Sequence, residues 1–260
     1  MIGIVIPARN EEACIESTLV NIARHVKEPH IVYVIDDHSE DRTRSAVLRH
    51  SDHWISLKWN RHRVVLVSNR AAPGFGNALR CGYALTRNYM YPVDAVVTMM
   101  ADGCDDPCTV NVMWDKMILG SFDIVCGSRY HPLGGRIEGD LDGPSIKGWL
   151  SKAAGRSLYL LGLPTSDATN AFKMYRFSLL NKLHTKSLGF SISIELLARA
   201  RARGAMITEV PTVWRGRTTG NSKFNFLKGL PAYARWYCAV CRKSSNEDSW
   251  QDGRTPNELR

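Results

Sequence analysis

Three acidic residues close together after a short apolar run could do chemistry. Asp102, Asp105 and Asp106 follow residues 95–98, Ala-Val-Val-Thr, a pattern that predicts a buried strand. Open α/β sheets bind ligands at the carboxyl ends of such strands. Neighbouring carboxylates repel one another unless water or a cation separates them, and their hard oxygens suit Mg²⁺ or Mn²⁺ held jointly with a substrate diphosphate. The same residues also fit an acidic surface turn ahead of a helix.

Further acids follow two other apolar runs. Glu11 comes shortly after residues 2–6, and Asp36 and Asp37 close residues 30–35. A carboxylate at such a point can accept a hydrogen bond from a nucleobase or a ribose hydroxyl. Asp37 or Ser39 could equally cap the following helix.

Two glycine-containing segments could meet phosphate groups. Gly74 opens a helical pattern after residues 63–67, and backbone N–H groups at a helix start can face a phosphate. Residues 215–223 combine glycines with Arg217 and Lys223, which would supply positive charge for a diphosphate. A solvated basic loop would have the same composition.

The elements that must position these residues alternate between strands and helices. Strand patterns cover residues 2–6, 30–35, 63–67, 95–98, 123–129 and 207–214. Helical patterns cover residues 11–26, 41–49, 74–87, 146–163 and 193–203. The alternation predicts an α/β fold with a mostly parallel central sheet and helices on both faces. Pro7 is expected to end the first strand, and residues 134–144 are expected to form a mobile loop.

Composition limits the classes of protein to consider. The chain has 260 residues, 44% of them hydrophobic, which favours one large domain. Its net charge of +9 and pI of about 9.3 favour an anionic partner: a nucleotide, an anionic lipid or a nucleic acid. The sequence contains no run of about 18 apolar residues, so no transmembrane helix is predicted. A strand begins within the first residues, so no signal peptide is expected. The expected location is therefore the cytoplasm.

The cysteines indicate reduced thiols rather than a disulfide framework. There are seven, an odd number, scattered through the chain. Cys238 and Cys241 form a CxxC, but no second pair at a suitable spacing would complete a zinc site.

Five short motifs in order resemble those of family 2 glycosyltransferases. They are Ile6-Pro7-Ala8-Arg9-Asn10-Glu11, Val34-Ile35-Asp36-Asp37-His38-Ser39, Met100-Ala101-Asp102, Gly127-Ser128-Arg129-Tyr130, and Glu209-Val210-Pro211 through Ser222-Lys223. The resemblance covers about residues 2–237 and is strongest to the polyprenyl-phosphate branch, the dolichyl-phosphate mannosyltransferases and their bacterial relatives. It implies a single GT-A domain over residues 1–223, with a Rossmann-like nucleotide-binding half and an acceptor half.

The resemblance also implies roles for residues of the donor pocket. Pro7 and Glu11 match family positions that line the nucleobase and ribose pocket. Arg9 stands where the family has Tyr, so a guanidinium would stack on the base. Asp36 and Asp37 resemble the acids that read the base.

The metal motif departs from the family pattern. The family has Asp-Ala-Asp where this chain has Met100-Ala101-Asp102, so Asp102 is the expected ligand of Mg²⁺ or Mn²⁺, with Asp105 or Asp106 compensating. Arg217 and Lys223 match the Arg and Lys of the loop that holds the leaving diphosphate.

The implied reaction transfers a mannose- or glucose-type sugar from a GDP- or UDP-sugar to a polyprenyl phosphate, with inversion at the anomeric carbon. A phosphate monoester is largely ionised near neutral pH, so it needs positioning more than a strong base. Arg129 in the Gly-Ser-Arg turn is the candidate to hold that phosphate.

A lipid acceptor must be met at a bilayer, and residues 224–243 are rich in aromatic and basic side chains. This composition fits an interfacial helix, with Phe226, Trp236 and Tyr237 at headgroup depth, or a core helix that packs on the sheet. An interfacial helix predicts reversible, peripheral contact with the inner face of the membrane. Residues 244–260 are polar and expected to be disordered.

Three alternatives remain open at this point. A related enzyme could act on a sugar hydroxyl or a small metabolite, with a carboxylate such as Asp167 or Glu195 as its base. A non-catalytic nucleotide-binding module would fit the loss of a metal carboxylate at Met100. Nucleic-acid binding fits the charge, but no sustained basic helix or aromatic set accompanies it.

Replacement of Arg217 or Lys223 with Ala should lower kcat by about 10²-fold with a smaller change in KM, because the charge that they meet grows as the sugar–oxygen bond breaks. Steady-state kinetics with varied donor would measure both constants. Arg217→Lys should rescue only in part, since an ammonium cannot reproduce the guanidinium fork. A change confined to KM at both positions would contradict the leaving-group role.

Overall fold

The computed structural model describes residues 1–56, 62–88, 92–139, 146–216 and 226–241. Its strands are β1 (Ile2–Ala8), β2 (His30–Asp36), β3 (His62–Ser68), β4 (Ala95–Thr98), β5 (Ile124–Ser128), β6 (Arg136–Glu138), β7 (Lys173–Arg176), β8 (Ile207–Pro211) and β9 (Val213–Arg215). Its helices are α1 (Ile15–His25), α2 (Thr43–Ser56), α3 (Phe75–Asn88), α4 (Cys108–Leu119), α5 (Ile146–Leu160), α6 (Phe177–Leu180), α7 (Ile192–Ala202) and α8 (Phe226–Cys241).

Seven strands form the central sheet in the order β3-β2-β1-β4-β7-β5-β8, and β6 and β9 form a separate pair. The sheet is parallel except for β7, which runs antiparallel to both β4 and β5. Every residue of β1, β2 and β4 is buried, as expected for strands covered on both faces. The predicted α/β fold with a mostly parallel sheet is confirmed.

Helices cover the two faces of the sheet with separate apolar clusters. Residues of α1, α2 and α4 pack on one face, Ile15, Leu19 and Met113 among them. Residues of α3, α5, α7 and α8 pack on the other, where Leu158 and Trp236 lie. The helices α5 and α8 therefore lie on the opposite side of the sheet from α4.

The first strand is longer than predicted. Pro7 lies inside β1, opposite Ile35, instead of ending the strand. β4 pairs with β1 only as far as Val5. Beyond that point one side of β1 has no ladder in the described chain, so the strand tolerates a residue without an N–H.

Two further segments differ from the sequence prediction. Residues 207–214 form two strands, β8 and β9, in different sheets, with Thr212 between them donating its backbone N–H to the Ser128 carbonyl at 3.1 Å. The expected loop at residues 134–144 contains β6, and residues 140–145 lie outside the described chain. The prediction for residues 244–260 also falls outside it.

The C-terminal helix packs into the protein, so the prediction that Trp236 lies at headgroup depth is wrong. Trp236 is only 4% exposed, and its Nε1 donates to Ser187 Oγ at 2.9 Å. Tyr237 donates its hydroxyl to Ser157 Oγ on α5 at 2.8 Å. The side chain of Phe226 is outside the described part. None of the described helices has the length and apolar character to cross a membrane.

Trp236→Ala should lower the free energy of unfolding by about 3–5 kcal/mol, because it leaves a large cavity between α7 and α8. Cys238→Ala, on the exposed side of the same helix, is the matched control and should change it little. Denaturant unfolding of both purified variants measures the difference. Equal midpoints for Trp236→Ala and the unaltered protein would contradict the packing role.

Candidate functional site

The predicted site residues of the described chain gather at one edge of the sheet. Arg9, Asp37, Asp102 and Arg129 each follow the carboxyl end of a strand: β1, β2, β4 and β5 respectively. The strands are parallel and in register, so these ends meet at the same edge. Arg217 and Lys223 lie outside the described residues.

The turns after β1 and β2 are tied together. Pro7 is buried in β1, whereas Arg9 is exposed beyond its end. Asn10 donates its N–H to Ser39 Oγ at 3.0 Å, and Glu11 donates its N–H to Thr43 Oγ1 at 2.7 Å. These bonds fix Arg9 and Glu11 beside the Asp36–Ser39 turn, where a pocket for a base and ribose was predicted.

Asp36 and Asp37 are buried and bind protein groups. Asp36 accepts from Ser39 N at 3.1 Å and pairs with Arg44 Nη1 at 2.9 Å. Asp37 accepts from Asn69 Nδ2 at 2.7 Å and from Gly74 N at 2.9 Å. The expectation that the Gly74 N–H faces a phosphate is therefore wrong, because that N–H is donated to Asp37. Asp37 does not cap α2; at the start of that helix Thr43 N donates to Asp41 Oδ1 at 2.9 Å.

The three acids after β4 have different surroundings. Asp102 is partly exposed, and its Oδ1 accepts from Cys104 N at 3.1 Å. Asp106 accepts from Cys108 N at the start of α4, also at 3.1 Å. Asp105 is buried, with Oδ2 accepting from Met100 N at 2.9 Å.

Burial, together with the neighbouring Asp102 charge, raises the pKa of Asp105 to about 7. The structure thus presents Asp102 outward and turns Asp105 toward the backbone. No group of three potential metal ligands occurs in the described part of the chain.

Arg129 is held at the edge by a buried carboxylate that sequence reasoning did not pair with it. Arg129 Nε lies 2.8 Å from Asp167 Oδ2, Nη2 lies 2.9 Å from Oδ1, and the Arg129 backbone N–H also donates to Oδ2 at 3.0 Å. Asp167 is fully buried, while the Arg129 side chain stays 18% exposed. The Arg129 charge and hydrogen bonds overcome the effect of burial and hold the pKa of Asp167 below its usual value. Such a locked carboxylate is unsuited to accept a proton from substrate, against the alternative that made Asp167 a base.

Glu195, the other suggested base, also has a structural role. It is fully buried on α7 and accepts from the backbone N–H groups of Lys186 and Ser187 at 2.9 and 2.8 Å. Arg199 pairs with it at 2.8 Å. Glu195 therefore holds the loop before α7, and none of its carboxylate bonds goes to the acidic turn.

Sequence reasoning missed the residues that fix Asp167. Lys173 in β7 is fully buried, and its Nζ donates to the carbonyls of Ala168, at 3.1 Å, and of Asn170. Asn170 Nδ2 in turn donates to the Gly127 carbonyl on β5 at 2.9 Å. Burial lowers the pKa of Lys173. A lysine inside the apolar run Phe172–Tyr175 was the one sequence signal for this arrangement.

The motif residue Glu209 supports the same turn. Its carboxylate accepts from Thr165 Oγ1 at 3.0 Å and from Ser166 N at 2.7 Å. The strand that carries Glu209 thus holds the turn before Asp167.

The small β6–β9 sheet brings a basic segment toward the acidic turn. Arg215 donates its backbone N–H to the Cys104 carbonyl at 2.9 Å, and Gly216 donates to the Glu138 carbonyl at 2.7 Å. The Arg215 side chain lies 3.8 Å from Asp106. Gly216 is the last described residue before residues 217–225.

The mostly parallel sheet, with acids and an arginine at the carboxyl ends of its strands, places the protein among the open α/β proteins that bind ligands at this edge. The sequence model of glycosyl transferase family 2 matches residues 3–184, and the chain belongs to this family of glycosyltransferases. The predicted family is confirmed.

Two curated relatives align over most of their length. Polyprenol monophosphomannose synthase of Mycolicibacterium smegmatis is 28% identical over 248 residues, covering 90% of this chain and 85% of the relative. Undecaprenyl-phosphate mannosyltransferase of Micrococcus luteus is 29% identical over 230 residues, covering 85% and 86%.

Solved structures share the fold. Glucosyl-3-phosphoglycerate synthase from Mycobacterium tuberculosis, in complex with Mn²⁺, UDP-glucose and phosphoglyceric acid, has a TM-score of 0.66 and 21% identity, covering 93% of this chain and 79% of that one. Its complex with Mg²⁺ and UDP has a TM-score of 0.60 and 23% identity, covering 92% and 77%.

Asp167→Asn should lower the free energy of unfolding by about 3–5 kcal/mol, because it leaves the Arg129 guanidinium without its buried partner. Arg129→Gln in the same chain should recover part of that loss, and a double-mutant cycle measures the coupling. Glu16→Gln breaks an exposed pair with Arg49 and should change stability little. Additive losses at Asp167 and Arg129 would contradict their pairing.

Proposed function

We propose that the protein transfers a mannose- or glucose-type sugar from a GDP- or UDP-sugar to a polyprenyl phosphate, with inversion, at the inner face of a membrane. The support from comparison is that the two curated relatives are named for polyprenol- and undecaprenyl-linked mannose transfer and match 85% or more of this chain.

The observation that carries the proposal is the pairing of Arg129 with Asp167 on the side of the site where the acceptor would bind. Asp167 holds two nitrogens of the Arg129 guanidinium and leaves Nη1 outside that fork. A phosphate monoester arrives already ionised and needs a positioned cation. A hydroxyl acceptor needs a base, and both carboxylates suggested for that role, Asp167 and Glu195, are locked in buried ion pairs.

The donor would lie across the ends of β1 and β2. Pro7, Arg9 and Glu11 would line the base and ribose, with Asp36 and Asp37 behind them. The bonds that Asp37 makes to Asn69 and Gly74 are compatible with this role, since an ionised carboxylate has about four acceptor positions.

A divalent cation, Mg²⁺ or Mn²⁺, fits the acidic turn through one protein carboxylate. Asp102 and Asp106 are both partly exposed, but Asp106 lies 3.8 Å from the Arg215 side chain, so Asp102 is the proposed ligand. Such ions are often held by one or two carboxylates together with substrate phosphates. Asp105 could join only by giving up its bond to Met100 N. When bound, the cation would offset the negative charge on the leaving diphosphate.

Arg217 and Lys223 would hold that diphosphate from the other side. The backbone of Arg215 at Cys104 supports this placement, because it brings the chain next to the acidic turn just before residues 217–225.

The test is transfer of labelled sugar by the purified protein from GDP-mannose or UDP-glucose, with Mn²⁺ or Mg²⁺. Three acceptors should be compared: a short-chain polyprenyl phosphate, the same polyprenol without phosphate, and phosphoglyceric acid. Product should form with the polyprenyl phosphate alone. Product with phosphoglyceric acid alone would replace the proposal with a small-acceptor enzyme.

Asp102→Asn should lower kcat by at least about 10²-fold, the loss expected when an electrostatic contribution to the transition state is removed. Asp115→Asn, an exposed acid on α4, is the control for a simple loss of surface charge. Near-normal turnover of the Asp102 variant with Mg²⁺ would exclude it as the metal ligand.

A further inference from the structure

The helices α5 and α8 lie side by side and run in the same direction. Tyr237 on α8 bonds Ser157 on α5 at 2.8 Å. One helical turn further on, Cys241 and Leu161 line the same cavity. The two helices therefore keep one register along their shared length.

Their exposed residues point to one side. Among the side chains that the structure describes, these are Lys152, Ala153, Arg156, Tyr159 and Leu160 on α5, and Leu230, Pro231, Ala234, Arg235, Cys238 and Cys241 on α8. At 100° per residue from the Ser157–Tyr237 contact, both sets turn away from the sheet in the same direction. We call these residues, with Leu161, the α5–α8 face.

The face combines apolar and basic side chains. Leu160 is 78% exposed, Tyr159 53%, Leu161 51% and Leu230 47%. Neither helix contains an acidic residue, whereas Lys152, Arg156 and Arg235 are exposed on them. Large exposed apolar groups among cations, without acids, are typical of a surface that binds an anionic lipid interface.

A cavity at one end of the face contains an arginine with an unsatisfied hydrogen-bond donor. The cavity of about 430 Å³ is lined by Leu161, Gly162, Pro164, Arg201, Ala205, Ile207 and Cys241. Arg201 Nη2 donates to the Leu161 carbonyl at 3.2 Å, while its buried Nη1 has no hydrogen-bond partner in the described protein. A buried donor without a partner is costly, and Arg201 is the charged side chain among these lining residues, so the cavity favours an anionic group over a neutral one.

The other end of the face lies near the acceptor side of the site. Lys152 Nζ is 5.8 Å from the centre of the Tyr130 ring, next to Arg129. Burial raises the pKa of Tyr233 on α8, and the charge of Arg129 opposes that shift. The face thus extends from the Arg129 side of the site to the Arg201 cavity.

We propose that the α5–α8 face is a docking surface for an anionic phospholipid bilayer, with the Arg201 cavity receiving a headgroup phosphate. This deepens the proposed function, and rests on it for the biological need, because a polyprenyl phosphate is met at a bilayer. This face differs from the lipid-facing surface predicted from the sequence. Trp236 and Tyr237 hold α8 in place, and the exposed residues of the same helix would contact the lipid.

The native cysteines provide the first test. Cys238 and Cys241 belong to the face, while Cys108 is exposed on α4, on the other side of the sheet. Phosphatidylglycerol-containing vesicles should slow maleimide labelling of Cys238 and Cys241 several-fold and leave Cys108 unchanged, as read by mass spectrometry. Pure phosphatidylcholine vesicles and high salt should abolish the protection. If the labelling rate of each of the three cysteines is the same with and without vesicles, the proposal is overturned.

Matched variants provide the second test, by vesicle co-sedimentation without donor or acceptor. Arg156→Gln and Arg235→Gln should each weaken binding about fivefold, and Leu160→Ser should weaken it further. Arg24→Gln and Leu119→Ser, exposed on α1 and α4, are the controls. Equal losses in both groups would overturn the proposal; the melting temperature of each variant verifies its fold.

Arg201→Gln separates the headgroup site from a site for free phosphate. The variant should bind anionic vesicles more weakly, and inorganic phosphate should compete no better than chloride at equal ionic strength. Phosphate binding without vesicle binding would overturn the lipid assignment.

Face variants should keep transfer to a short-chain polyprenyl phosphate in detergent. If the unaltered protein docks on vesicles and the face variants dock more weakly, but none of them transfers sugar, the proposed function fails while the docking surface stands.

Discussion

The buried pair between Arg129 and Asp167 is the interaction on which the β5 side of the site depends. Removing a carboxylate from water is strongly unfavourable unless charge and hydrogen bonds replace the lost hydration. Asp167 receives both, through three bonds from the side chain and backbone of Arg129. The turn that carries Asp167 must therefore lie against the end of β5, and Lys173, Asn170 and Glu209 keep it there.

The same edge holds two buried carboxylates whose proton affinities move in opposite directions. Asp167 faces a guanidinium, so its pKa falls. Asp105 receives one backbone N–H and lies near Asp102, so burial and the like charge raise its pKa to about 7. The difference follows from the nearest partner rather than from burial, which the two residues share. Negative charge at this edge is thus offset by an arginine on the β5 side, whereas on the β4 side Asp105 has no such partner in the described chain and a raised pKa.

The sequence was sufficient for features that depend on local pattern. Continuous apolar runs marked β1, β2, β4 and β5, and the rule for parallel sheets then placed Asp102 and Arg129 at one edge. β7 was not predicted because it has only four residues and begins with a lysine, so its sequence shows no clear period. The partnership of Arg129 with Asp167 joins residues far apart in the chain, and no local pattern encodes such a contact. Trp236 was misplaced for another reason: a protein core and a lipid interface both select aromatic side chains, so composition alone cannot separate them.

The antiparallel strand β7 also sets the order in which the site can be completed during synthesis. The first half of the sheet, β3-β2-β1-β4, consists of strands that are adjacent in space and come early in the chain. β5 is made next, but its two sheet neighbours, β7 and β8, both follow it. A nascent chain therefore exposes the apolar β5 until Lys173–Arg176 have left the ribosome, since domains form from the N-terminus onward. Arg129 and Asp167 first meet when this late strand joins the sheet, so the edge formed by β1, β2 and β4 can fold before the Arg129 side of the site exists.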